Sequence, residues 1–84
     1  MKKGTIGYAA DFDTAHRQLV ASGTHPLKAA RRLRCLSQGA LAQATGVSLR
    51  TIVCIEQGQC FPQPATQRLL CGYFSLDVYQ LGLV

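Results

Sequence analysis

Apolar residues near the start of the chain fall at helical spacing. Phe12, Ala15 and Leu19 share one face at i, i+3 and i+7, and Asp11 stands where a cap begins such a helix. Residues 1–8, with Gly4 and Gly7, have no period and read as an irregular arm. Ser22-Gly23 closes the first helix, and Pro26 suits the first turn of the next. That second helix sets Leu27, Ala30 and Leu33 or Arg34 along one side, with Lys28, Arg31 and Arg32 around the rest. Ser37 caps a third, running to about Thr45 with Leu41 and Ala44 or Thr45 inward, and Gly46 breaks it. Ser48 opens a fourth, with Ile52 and Ile55 on its inner side, which ends at Gly58. Phe61, Pro62 and Pro64 mark a loop, because prolines this close together exclude a helix. Ala65 to Phe74 reads as a further helix with Leu69, Leu70 and Tyr73 inward. Ser75 caps a last short one through Tyr79, leaving the apolar tail 81–84. No segment alternates with period two, so the expected class is all-α.

Eighty-four residues make one small domain, and 48% hydrophobic against 15% charged is the profile of a packed globule. No apolar run approaches the roughly 20 residues that span a bilayer. Lys2 and Lys3 are followed by polar residues and not by the apolar core of a signal peptide, so a cytoplasmic, nucleoid-associated protein is expected.

The net charge of +5 is unevenly placed. Residues 1–24 balance at +1, and residues 61–84 are neutral. Residues 25–60 reach +4 through Lys28, Arg31, Arg32, Arg34 and Arg50 against Glu56 alone. A basic segment of this kind suits a surface that meets phosphate, or equally a solvated face.

Cys35, Cys54, Cys60 and Cys71 contain no Cys-x-x-Cys pair, and neither His16 nor His25 lies at zinc-finger spacing from them. Neither a metal nor another cofactor is expected. Reduced thiols serving as small apolar side chains are one reading, and a redox switch is the other. Asp11, Asp13, Glu56 and Asp77 form no recognisable catalytic pair, so the chain is not read as an enzyme.

The segment from about 37 to 57 carries the most specific pattern. Two short helices joined only by Gly46-Val47-Ser48 must cross steeply, as in a helix-turn-helix. The joint needs a positive φ, which Gly46 supplies, a small residue one turn earlier, which is Ala42, and apolar filling from Val47, Ile52 and Ile55. Leu36-Ser37-Gln38, Leu41-Ala42, Thr45-Gly46-Val47-Ser48, Thr51-Ile52 and Ile55-Glu56-Gln57-Gly58 together resemble the lambda-repressor/Cro-type (XRE-like) helix-turn-helix family. Arg31, Pro64, Thr66, Leu70, Phe74 and Leu76 extend the resemblance over about residues 26–80. Residues 1–24 lie outside it, and 25–84 form the expected domain.

The resemblance implies a compact five-helix domain, here with an extra N-terminal helix. It implies a homodimer on double-stranded DNA with a pseudo-palindromic operator, the second motif helix lying in the major groove. At matching positions Ser48, Leu49, Arg50 and Cys54 would face base edges or the adjoining backbone. Gln38, Thr51 and Gln57 would meet phosphate, and Arg31 with Glu56 would form a structural ion pair. Physical reasoning adds Lys28, Arg32 and Arg34 as flanking phosphate contacts, and gives Arg50 either a guanine edge or a phosphate. Leu49 departs from the family pattern, and with Val53 and Cys54 beside it the face also suits a protein partner. The second reading is therefore a helix-turn-helix interaction module. Dimerisation is expected at the C-terminal segment, through Leu76, Tyr79, Leu81 and Leu83, with the helix near Phe12 and Leu19 as the other apolar surface.

Overall fold

A computed structural model describes the chain from residue 8 and its side chains from residue 12. Five helices and no strand occur among the described residues: α1 (Tyr8–Ala21), α2 (Pro26–Leu33), α3 (Gln38–Thr45), α4 (Leu49–Glu56) and α5 (Pro64–Phe74). None of these is long and apolar enough to cross a membrane. The expected arm at the N-terminus lies outside the described residues, apart from Tyr8, which is helical.

Two boundaries differ from the sequence expectation. Helix α1 begins at Tyr8, so position 11 lies within the helix and not at its start. The short helix expected from Ser75 to Tyr79 is absent. Ser75 instead adopts a left-handed φ of 57° and terminates α5, its N–H bonding the Cys71 carbonyl. Beyond it, Asp77 and Gln80 exchange side chain-to-backbone hydrogen bonds of 2.8 and 3.0 Å, which fix a turn. The count of five helices is thus reached with the N-terminal one included, and not in addition to it.

The caps follow local chemistry. Ser37 Oγ accepts from Ala40 N–H at 3.0 Å, and Ser48 Oγ accepts from Thr51 N–H at 3.1 Å. Gly46 sits at φ 79°, where a residue with a Cβ is strained. Helix α2 starts on His25, whose Nδ1 accepts from Leu27 N–H at 3.1 Å, a cap the sequence reading passed over.

Leu27, Ala30, Leu41, Val47, Ile52, Ile55, Leu70 and Phe74 make one core, joined by Leu81 and Leu83 from the tail. A fully buried leucine or isoleucine contributes about 1.5–3 kcal/mol, so the large members dominate stability. On α5 the inward stripe is Leu70 and Phe74, one turn apart. Leu69 points outward with 49% of its surface exposed, and Tyr73 is half-buried with its ring edge-on to Phe74.

Helix α1 is docked onto this unit at three points. Phe12 packs against the core, and its ring stacks parallel to that of His16. His16 Nε2 donates to the Pro26 carbonyl at 3.0 Å. The Arg34 guanidinium, at the end of α2, lies 5.7 Å from the Phe12 ring centre and 5.6 Å from that of Phe74. Such cation–π contacts contribute about 0.5–1 kcal/mol each at exposed sites. Arg34 therefore ties α1 and α5 together, a structural engagement that its expected flanking phosphate role did not foresee.

Candidate nucleic-acid interface

The segment with the most specific sequence pattern folds as two eight-residue helices, α3 and α4, separated by Gly46, Val47 and Ser48. Thr45 closes the joint from the inside: its hydroxyl donates to the Leu41 carbonyl at 2.7 Å and accepts from Val47 N–H at 3.2 Å. Val47 drops into the core with Leu41, Ile52 and Ile55, which locks the two helices to each other. Helix α4 is thereby held by its inner face, and its outer face is free to meet another molecule.

Ser48 and Arg50 are exposed at the first turn of that helix, and Leu49 between them has 49% of its surface exposed. Ser48 is occupied locally, since its hydroxyl also donates to Thr51 Oγ1 at 2.8 Å. Thr51, Val53 and Cys54 are half-buried, and Gln57 is exposed at the helix end. Lys28 and Arg32 project from α2 into solvent.

One polar cluster braces this surface from behind. Arg31 Nε and Nη2 donate to the two carboxylate oxygens of Glu56 at 2.8 and 3.0 Å, and Arg31 Nη1 donates to the Leu36 carbonyl at 2.8 Å. Gln38 Nε2 completes the cluster on Glu56 Oε1 at 3.0 Å. The side chains of Arg31 and Glu56 are only 10% and 3% exposed. The cluster joins α2, α3 and α4 in one planar, charge-assisted contact. Gln38, expected to meet phosphate, thus spends one N–H of its side-chain amide on Glu56, and its second N–H is the donor left for a phosphate.

The expected dimer surface is largely dismantled by the fold. Leu81 and Leu83 are fully buried in the core of their own chain, and Leu76 packs against the same core. The reason lies in the turns after Ser75. Leu81 N–H bonds the Asp77 carbonyl and Leu83 N–H bonds the Val78 carbonyl, which folds the tail inward instead of leaving it uncovered. Of the four, Tyr79 is exposed at 78% and Leu76 is half-buried. Leu81 and Leu83 are accordingly corrected from interface to core.

Sequence reasoning names Cys60 among the four thiols but does not relate it to Cys54. Gly58 N–H bonds the Ile55 carbonyl and Gln59 N–H bonds the Cys54 carbonyl, at 2.9 and 3.0 Å, so the chain doubles back at the end of α4. Cys60 follows this reversal, and its thiol pKa is raised from its ordinary value, first by the influence of the Cys54 side chain and then by burial. Six residues of separation without a Cys-x-x-Cys pattern gave no signal for this influence.

No family model, curated protein or solved structure matches this chain.

Proposed function

We propose that this protein is a sequence-specific DNA-binding transcriptional regulator that inserts α4 into the major groove. The observation that carries the reading is the state of α4. Its inner face is fixed by Ile52, Ile55 and the Glu56 cluster, and its N-terminal turn turns Ser48, Leu49 and Arg50 outward. A helix held in this way suits groove reading, in which the first residues of the helix reach base edges and its neighbours rest on the backbone. Lys28 and Arg32, both exposed, supply positive charge suited to phosphate, and Thr51 and Gln57 supply flanking hydrogen-bond donors. Arg50 is assigned to a guanine edge, worth about 1–3 kcal/mol of discrimination.

A single module of this size reads only a few base pairs, so the working form is a homodimer on two half-sites. The cytoplasm is the matching compartment. A second reading is supported by the half-exposed Leu49 with Val53 and Cys54 beside it: the same face of α4 binds an apolar patch on a protein partner. An NMR titration with a mixed pool of short duplexes tests the first reading. Amide shifts concentrated at 48–51, 28–32 and 57 support it. Shifts absent throughout, from a protein that is folded, overturn it and favour the protein-binding face.

A further inference from the structure

We propose that the cleft between α1 and the turn at 77–80 binds a small zwitterion, a free α-amino acid with an aromatic side chain. The cleft is a cavity of about 350 Å³, within the size range of small-ligand sites. Its walls come from α1, from Pro26 at the start of α2, and from Tyr79 and Gln80 in the tail. The groove-reading surface proposed above uses none of these residues, so the two sites stand or fall separately.

Opposite charges share one wall. Asp13 and Arg17 lie one helical turn apart on α1, at the i, i+4 spacing where a carboxylate and a guanidinium ordinarily pair. Both are exposed and both line the cavity, yet they form no ion pair with each other. The salt bridge among the described residues is that of Arg31 with Glu56. A ligand with an ammonium beside a carboxylate fills the gap with matched charge, its ammonium to Asp13 and its carboxylate to Arg17. A plain anion would be repelled by Asp13, and a plain cation by Arg17.

The other lining groups suit the same ligand. Gln80 Oε1 accepts the Asp77 N–H at 3.0 Å, which leaves the side-chain N–H groups of Gln80 as donors for the ligand carboxylate. His16 is only 9% exposed and donates from Nε2 to the Pro26 carbonyl at 3.0 Å. Its Nδ1 is then the acceptor of the neutral ring, a partner for the ligand ammonium. Val20, Pro26 and the Tyr79 ring supply apolar surface for the side chain. Tyr79 is 78% exposed, and a ligand ring laid against it takes that aromatic surface out of water.

The test is an NMR titration of the full, isotope-labelled chain with L-phenylalanine. Parallel titrations use hydrocinnamate, which lacks the ammonium, and phenethylamine, which lacks the carboxylate. Saturable amide shifts are expected at Asp13, Arg17, Val20, Tyr79 and Gln80, with a dissociation constant on the order of 1 mM, ordinary for a ligand of this size. Each one-charge analogue should bind about threefold to tenfold more weakly, and so should L-phenylalanine to Asp13→Asn or Arg17→Gln. Both side chains are exposed, so the two variants keep the fold. Absence of saturable shifts with L-phenylalanine at roughly ten times that concentration overturns the proposal. An analogue that binds as tightly as the zwitterion, or unchanged affinity in both variants, overturns it equally.

Discussion

Arg31 on α2 grips Glu56 at the end of α4 through two parallel hydrogen bonds of 2.8 and 3.0 Å, and Gln38 on α3 adds a third. A buried pair of this kind is weak evidence for added stability, because both ions lose their water on folding. Removing one partner is another matter, since it leaves the other charge buried and unpaired. Glu56→Ala should therefore cost about 3–5 kcal/mol in urea unfolding. Replacing both Arg31 and Glu56 with apolar residues of similar size should cost clearly less than the sum of the two single changes. Additive losses would show that the two side chains act independently.

The His25 cap predicts a pH dependence. Only the neutral ring can accept the Leu27 N–H, and burial lowers the pKa of His25 below its ordinary 6.5, against the raising effect of the Glu56 charge. The unfolded chain then takes up a proton at higher pH than the folded one does. The stability tied to the neutral ring is complete above about pH 6.5 and is lost as the pH falls through the lower folded value. Thermal unfolding between about pH 7.5 and about pH 5 should show a steeper fall in Tm for the wild type than for His25→Asn. Asparagine supplies a cap oxygen that does not titrate. Parallel curves would remove His25 from the pH response.

Folding the tail inward makes the last residues part of the core. Leu81→Ala should cost about 2–5 kcal/mol, whereas Tyr79→Ser should stay within about 0.5 kcal/mol of the wild type. Gly82→Ala should also destabilise, because φ there is 66° and a Cβ would stand 2.9 Å from Pro26 Cγ. Denaturant midpoints of the three variants decide the matter, and a mild effect of Leu81→Ala would return that residue to the surface.

What could be read from the sequence was mostly local. Ser37, Gly46 and Ser48 announce themselves because caps and positive-φ positions are set by one residue's own chemistry. Leu41, Ile52 and Ile55 follow from helical period. The tail did not follow, since Leu81 and Leu83 are buried through turns that have no period to detect. On α5 Leu70 is buried as expected and Tyr73 packs partly against the core, but Leu69 points outward, because the two leucines are equally apolar and only packing chooses between them. Gln38 takes its role from Glu56, 18 positions away, and Arg34 takes its own from Phe12 and Phe74, 22 and 40 positions away. Such pairings belong to tertiary structure, and composition or spacing gives no access to them.

Reading of DNA by the first turn of α4, the function proposed above, is open to a direct titration. Wild-type protein and Arg50→Ala are titrated into mixed-sequence duplexes at two salt concentrations. A groove-reading α4 should bind with steep salt dependence and a preferred sequence, and Arg50→Ala should lose that preference by the equivalent of about 1–3 kcal/mol. Absence of binding at low salt, by protein shown to be folded, would contradict it.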